Sequence, residues 1–255
     1  MKKIILAASL ILLIGFLACG CGKEVMIDDD LAVIMRRDKL IVGVREDTRP
    51  FSYRGANGKL AGYDVELAKQ TAKYILGTDT KLELVPVTAS NRIMKLNTRE
   101  VDMLIATMSI TPEREQILDF SLPYYIAGQA IMVNRSSNAT SLKDFNNKRM
   151  IIVFGSTSAE NLRTNTPEVN VAGYKDYNAA YRALKAGKAD GMIADDTILM
   201  GFAMNDGSVK ILQQRYTREP YAAAFRKGPE SGRLREKVDY VIEKQRRSIF
   251  PKGDF

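Results

Sequence analysis

The residues with most to offer chemically lie between Ala106 and Arg114. Met103-Leu104-Ile105-Ala106 is an uncharged apolar run and predicts a buried strand. Ser109 and Thr111 then set hydroxyls at alternate positions. Pro112 directly after Thr111 reads as a helix N-cap followed by the first helical residue, which puts Arg114 in the first turn. A strand end, free backbone N–H groups, hydroxyls and a guanidinium brought to one spot make a receptor for a carboxylate. Helix N-termini attract anions, and an arginine holds both oxygens of a planar group. The plain alternative, a capped helix with a solvated Arg114, is not separated from this by local chemistry alone.

Composition narrows the classes. The chain has no histidine, which removes Ser-His-Asp and Cys-His catalysis and histidine metal sites. Its two cysteines are Cys19 and Cys21, so the body beyond them can have neither disulfide nor cysteine–metal chemistry. No metal and no cofactor is expected. An enzyme would have to work with carboxylates, lysine or tyrosine. The net charge of +8 comes from interspersed residues, 38 basic against 30 acidic, and aromatics are only 8%, so nucleic acid is not expected as a partner. A mildly basic surface suits an anionic ligand or an anionic membrane.

The N-terminus bears on the compartment. Met1-Lys2-Lys3 is a short basic start, and 4–18 is uncharged and apolar, too short for a comfortable membrane span and right for a signal-peptide core. Small residues before a cysteine are similar to a bacterial lipoprotein signal, where the cysteine is lipidated. Ala18-Cys19-Gly20 favours Cys21 as the lipidated residue, with Cys19 as the alternative. An ordinary secretory signal with two incidental cysteines is the plain reading. The expected division is a signal at 1–20 and a tether at 21–35, leaving the protein outside the cytoplasm and anchored to the cell membrane.

The elements that must position the 106–114 stretch follow from periodicity. Asp30 is expected to cap a brief helix. Residues 39–44 read as the first strand, 45–51 as a loop, and 55–58 as a turn. Val65, Ala68, Ala72 and Ile75 share one helix face that Gly77 ends. Residues 81–87 alternate like a strand, 91–96 form a short helix, and 101–106 a third strand. This is βαβαβ, a parallel-sheet pattern. The same pattern recurs in 150–153, 169–172, 178–186, 191–194 and 209–212, with Gly155-Ser156-Thr157-Ser158 at one helix start and Asp195-Asp196 at another. Two extended segments, 126–133 and 218–225, join the units. A ligand in such an arrangement sits in the cleft between them, at the C-terminal ends of strands.

Taken together these stretches resemble the amino-acid-binding members of family 3 of the bacterial extracellular solute-binding proteins. Gly62-Tyr63-Asp64-Val65-Glu66-Leu67 is similar to the family signature. Ser109-x-Thr111-x-x-Arg114, followed by Asp119-Phe120-Ser121 and Pro123-Tyr124-Tyr125, is similar to the binding loop. Ala189-Asp190-x-x-x-x-Asp195 is similar to the second-lobe region. The likeness runs from Leu40 to about Ile242; 246–255 departs from the usual ending. It implies the α/β type II periplasmic-binding-protein fold: lobe one at 36–127 plus 221–255, lobe two at 132–216, and hinge segments at 126–133 and 218–225. It implies delivery of an amino acid to an ABC permease, no catalysis, and a monomer.

Carried onto this chain, the resemblance gives Arg114 to the ligand α-carboxylate, with Ser109 and the backbone around Thr107 beside it. Thr157 grips the same carboxylate from the second lobe, and Asp195 receives the α-ammonium, with Asp196 the neighbouring alternative. Arg45 and Arg92 resemble the aspartate/glutamate-binding branch, so an acidic ligand such as glutamate or aspartate is expected. Cysteine-binding members share the Asn-Arg pair at 91–92, so cysteine or another polar amino acid is the runner-up. A dehydratase of the cyclohexadienyl type on the same scaffold and a sensory module are the competitors from other classes.

Overall fold

The computed structural model describes residues 29–249 except Pro167 and Asn205. Cys19, Cys21 and the expected signal lie outside the described residues.

Each of the two lobes is built on its own twisted sheet. In the first, β1 (Leu40–Val44) lies between β5 (Leu82–Pro86) and β6 (Met103–Ser109), all parallel, so the first strand in sequence is the middle one. β14 (Glu219–Arg226) returns from the C-terminal part of the chain and pairs antiparallel with β6, then with β7 (Leu118–Phe120) and β8 (Tyr125–Ala127). Buried apolar residues line both faces of this sheet, as a parallel sheet between helices requires. One face packs against α2 (Tyr63–Leu76) and α8 (Gly232–Ile249), the other against α3 (Arg92–Asn97). Val65, Ala68 and Ala72 of α2 are wholly buried, as their spacing predicts.

The second sheet repeats the order. β10 (Arg149–Val153) sits between β11 (Asn170–Tyr174) and β12 (Gly191–Asp195) in parallel, with β9 (Gln129–Asn134) and β13 (Val209–Ile211) added antiparallel. Helices α5 (Ser158–Asn165), α6 (Tyr177–Lys185) and α7 (Asp196–Ala203) cover it. In both sheets the order reverses at the middle strand. The crevice beyond the C-terminal ends of β1 and β6 faces the one beyond β10 and β12, which is where an open α/β sheet holds its ligand.

Three expectations change in detail. Asp29, not Asp30, caps α1 (Asp30–Arg37): its carboxylate accepts from Ala32 N–H at 2.8 Å. Asp30 is instead buried and ion-paired with Arg226 at 2.6 Å, tying the start of the fold to β14. The 45–51 loop contains β2 (Asp47–Thr48), which pairs with β3 (Ser52–Arg54) and through it with β4 (Leu60–Ala61), a small third sheet. The extended stretch 126–133 divides at Gly128: β8 belongs to the first sheet and β9 to the second.

Candidate functional site

The 106–114 stretch forms as its residues suggest. Thr111 caps α4 (Pro112–Glu115), its side chain accepting from Arg114 N–H, and Pro112 opens the helix. A helix of four residues holds little by itself, so the guanidinium is fixed by other bonds. Arg114 Nη1 donates to the Ser109 carbonyl at 2.8 Å, and Nη2 crosses to the Gly155 carbonyl of the second lobe at 3.1 Å.

Thr107 has φ of 45°, a left-handed conformation that a β-branched residue adopts only when its surroundings compel it. The compelling group is Asp64, whose carboxylate accepts the Thr107 N–H at 3.2 Å. Burial pushes the Asp64 pKa up to about 7, against the Tyr124 hydroxyl, the Thr107 N–H and the Arg45 and Arg92 charges. Thr107 lies where the pairing of β6 with β14 shifts register, and its carbonyl accepts from Arg92 Nη1 at 3.4 Å.

Arg92, at the start of α3, is 3% exposed. It donates to the Ala106 carbonyl at 2.7 Å and, through Nη2, to the Gly155 carbonyl at 3.3 Å. Burial, with Arg114 and Arg45 nearby, presses its pKa down to about 9, so it stays charged near neutrality. Arg45, at the end of β1, is 1% exposed and is answered within its own lobe. Its Nε and Nη2 donate to Asp47 Oδ1 at 3.1 and 2.7 Å, and Nη2 to Oδ2 at 2.9 Å.

From the second lobe come Thr157 and Asp195. Thr157 Oγ1 accepts from Gln129 Nε2 at 2.8 Å and donates to Glu219 Oε2 at 3.2 Å. Asp195 ends β12 and precedes α7, yet its carboxylate caps none of that helix's N–H groups. It instead accepts from the Tyr221 hydroxyl of β14. Burial, then the nearby Glu219, raise its pKa to about 7; Tyr221 and Arg114 pull the other way. Asp196 faces away, accepting from Gly128 and Thr197 N–H and pairing with Arg215.

Arg45, Arg92, Thr107, Ser109, Arg114, Thr157 and Asp195 therefore all line one small cavity between the lobes, joined by Ser156 and Tyr177. Its ends carry opposite charge: two guanidiniums on the β6 side and a carboxylate on the β12 side. That polarity fits a zwitterion. Sequence reasoning missed Asp47, Asp64, Ser156, Tyr177, Glu219 and Tyr221. Asp64 and Ser156 had a local signal, lying inside the Gly-Tyr-Asp and Gly-Ser-Thr stretches. Asp47 lies two residues from Arg45, but the pairing depends on the turn between them; Tyr177, Glu219 and Tyr221 had no local signal, because long-range packing brings them in. Arg45, which the resemblance assigns to an acidic ligand, is already held by both carboxylate oxygens of Asp47.

Among the described residues no helix is long and apolar enough to cross a membrane, and no group of three or more acidic, histidine or cysteine side chains could hold a metal ion.

The chain is similar to known proteins. Residues 40–249 match the bacterial extracellular solute-binding proteins, family 3. The glutamine-binding protein of Geobacillus stearothermophilus is 42% identical over 193 residues, covering 75% of this chain and 74% of that one. The ABC transporter glutamine-binding protein GlnH of Bacillus subtilis is 35% identical over 257 residues, covering 96% and 93%. The crystal structure of a cysteine-binding protein from Campylobacter jejuni superposes with a TM-score of 0.83 at 29% identity, covering 87% and 89%. With two facing lobes, a zwitterion-shaped charge pattern between them and a match along most of its length, the chain belongs to family 3 of the bacterial extracellular solute-binding proteins and is an amino-acid-binding component of an ABC transporter.

Proposed function

We propose that the ligand is an α-amino acid with an uncharged polar side chain, of which glutamine is the leading example. The observation that carries this is the Arg45–Asp47 pair. Around the cavity stand three cations, Arg45, Arg92 and Arg114, and four acidic groups, Asp47, Asp64, Asp195 and Glu219, so no cation there lacks an acidic neighbour. A ligand without net charge adds nothing to this set: its carboxylate meets Arg114 and its ammonium meets Asp195. Glutamate would bring a second carboxylate to a guanidinium that already has one. The acidic ligand expected from Arg45 and Arg92 thus loses its electrostatic motive, since Arg92 is engaged by three backbone carbonyls. The named specificity of the two relatives supports glutamine.

In this reading Arg114, Ser109, Thr107 and Thr157 surround the α-carboxylate and Asp195 takes the α-ammonium. Arg45 and Arg92 approach the side chain. The lobes, 36–127 plus 221–255 and 132–216, close by bending near Gly128 and 217–218, where the chain leaves one sheet for the other. Ligand contacts from both lobes favour the closed form. The mature protein is a monomer held at the membrane through lipidated Cys21, or Cys19. It binds rather than converts its ligand; cysteine or another polar amino acid remains the runner-up substrate.

Calorimetry with glutamine, asparagine, cysteine, arginine, glutamate and aspartate tests the reading. Glutamine is expected to bind at least ~10-fold tighter than glutamate, about 1.4 kcal/mol. Equal or tighter binding of glutamate would return the acidic reading.

A further inference from the structure

Asp47 does not line the ligand cavity. It stands on the far side of Arg45, at an opening lined also by Pro86, Thr88, Asp176 and Arg182. The pair is buried on both sides, with side chains 1% and 5% exposed. The second lobe then closes over it: Tyr177 N–H donates to Asp47 Oδ2 at 2.8 Å, and the Arg45 guanidinium lies 5.1 Å from the centre of the Tyr177 ring. Asp47 is thus the group that decides how much positive charge Arg45 presents to whatever fills the cavity. A buried ion pair far from a ligand would be a structural detail. Here one of its members is a wall of the binding site.

We propose that Asp47 is a positioning residue that sets ligand charge selectivity: by neutralising Arg45 from behind, it excludes acidic side chains and leaves Arg45 as a hydrogen-bond donor to an uncharged one. This rests on the reading of the ligand as a neutral polar amino acid. A carboxylate entering the cavity meets Arg45 with its charge already matched and Asp47 just behind it, so it is desolvated without compensation. An amide oxygen needs only a donor, and the guanidinium supplies one.

The test is the ratio of glutamate to glutamine affinity by calorimetry, because a merely structural residue would weaken both ligands alike. Asp47→Asn keeps the shape and can still accept from Tyr177 N–H while removing the charge. It is expected to shift the ratio at least ~10-fold towards glutamate, the worth of one charge-assisted contact. The double variant Arg45→Gln/Asp47→Asn, neutral again, is expected to shift it back. Arg45→Gln alone leaves Asp47 unanswered and is expected to move the ratio away from glutamate; it carries the test if Asp47→Asn does not fold. A folded Asp47→Asn protein with a ratio within about threefold of the parent's overturns the inference.

Because the measured quantity is a change, it decides the role of Asp47 even if the parent protein prefers glutamate, a result that would defeat only the ligand reading. Should neither amino acid bind, the ligand-free Tm decides. Removing one member of a buried pair costs more than removing both, so Asp47→Asn is expected to melt below the double variant. The reverse order overturns the inference.

Discussion

At the scale of single residues, the site is a set of charges whose worth depends on what already pairs with them. Arg114 spends two donors on the carbonyls of Ser109 and Gly155 and keeps the rest of its guanidinium at the cavity wall. Arg114→Ala is expected to cost any α-amino acid about 3–5 kcal/mol, the penalty for a carboxylate left buried without its partner. Circular dichroism should show the fold intact, since α4 is held by Thr111 and Pro112 rather than by the guanidinium. Wild-type affinity in the folded variant would remove Arg114 from the site. If Asp195 receives the ammonium as proposed, binding is expected to depend on pH. Its pKa stands near 7 in the ligand-free protein, chiefly through burial, and an ammonium beside it would lower that value. Binding at pH 6 should therefore release close to one proton, and affinity should fall by up to ~10-fold per unit as pH drops from 7 to 5. Calorimetry in two buffers of different ionisation heat reads the proton count; uptake instead of release would contradict the Asp195 assignment.

The same group has the opposite effect on the empty protein. A carboxyl whose native pKa lies above the unfolded value of about 3.9 binds its proton more tightly when folded. Stability from Asp195 and Asp64, both near 7, is present below pH 4 to 5 and lost as pH rises through 7. The ligand-free Tm is expected to fall between pH 5 and pH 8 for this reason, while the increment added by glutamine grows. A parallel pH course of the two would mean that neither carboxyl titrates in this range.

At the scale of elements, backbone meets backbone where the two lobes face each other. A Cβ on Gly201 of α7 would come within 2.4 Å of the Arg49 carbonyl on the other lobe, and one on Gly155 within 2.3 Å of the Ala89 carbonyl. Gly155 also has φ of 79°, so any side chain there is strained regardless of space. Gly201 sits inside a helix, where alanine is the better former by about 0.5–1 kcal/mol. Gly201→Ala is therefore expected to leave the ligand-free Tm unchanged or slightly higher while weakening ligand binding by about 1–3 kcal/mol, the usual cost of overpacking. Small-angle scattering should find the liganded variant more open than the liganded parent. If affinity and scattering both match the parent, α7 and the turn at Arg49 do not need this close approach. The second lobe also reaches the hinge through Glu219, which takes bonds from Thr157, Asn161 and Thr217 while starting the strand that belongs to lobe one.

At the scale of the whole molecule, the prediction concerns where the protein resides. Among the described residues no helix is long and apolar enough to cross a membrane; attachment through lipid at Cys21, or at Cys19, is the proposal to be tested. Detergent phase partitioning of the full chain is expected to move from the detergent to the aqueous phase in Cys21→Ser. If Cys19→Ser does so instead, the lipid is on the other cysteine. An aqueous parent protein would mean simple secretion.

Much of this was legible in the chain itself. The βαβαβ pattern repeated twice because apolar periodicity and turn residues are local signals, readable wherever strands are buried on both faces. The Thr111-Pro112 cap and the placement of Arg114 were legible for the same reason: capping involves neighbours three residues apart. Likewise, the absence of histidine and of cysteine beyond Cys21 excluded whole classes of chemistry without any structure. What the sequence could not show was charge pairing across distance. Asp47 is two residues from Arg45, but only the turn of β1 into β2 makes them a bidentate pair rather than two solvated loop charges. Tyr177 lies 130 residues from Asp47 and Tyr221 26 from Asp195, and only the facing of the two lobes brings each to its partner. Ligand family followed from motifs that are contiguous in the chain; ligand charge depends on which buried ions already have a counterion, and that is decided by tertiary structure.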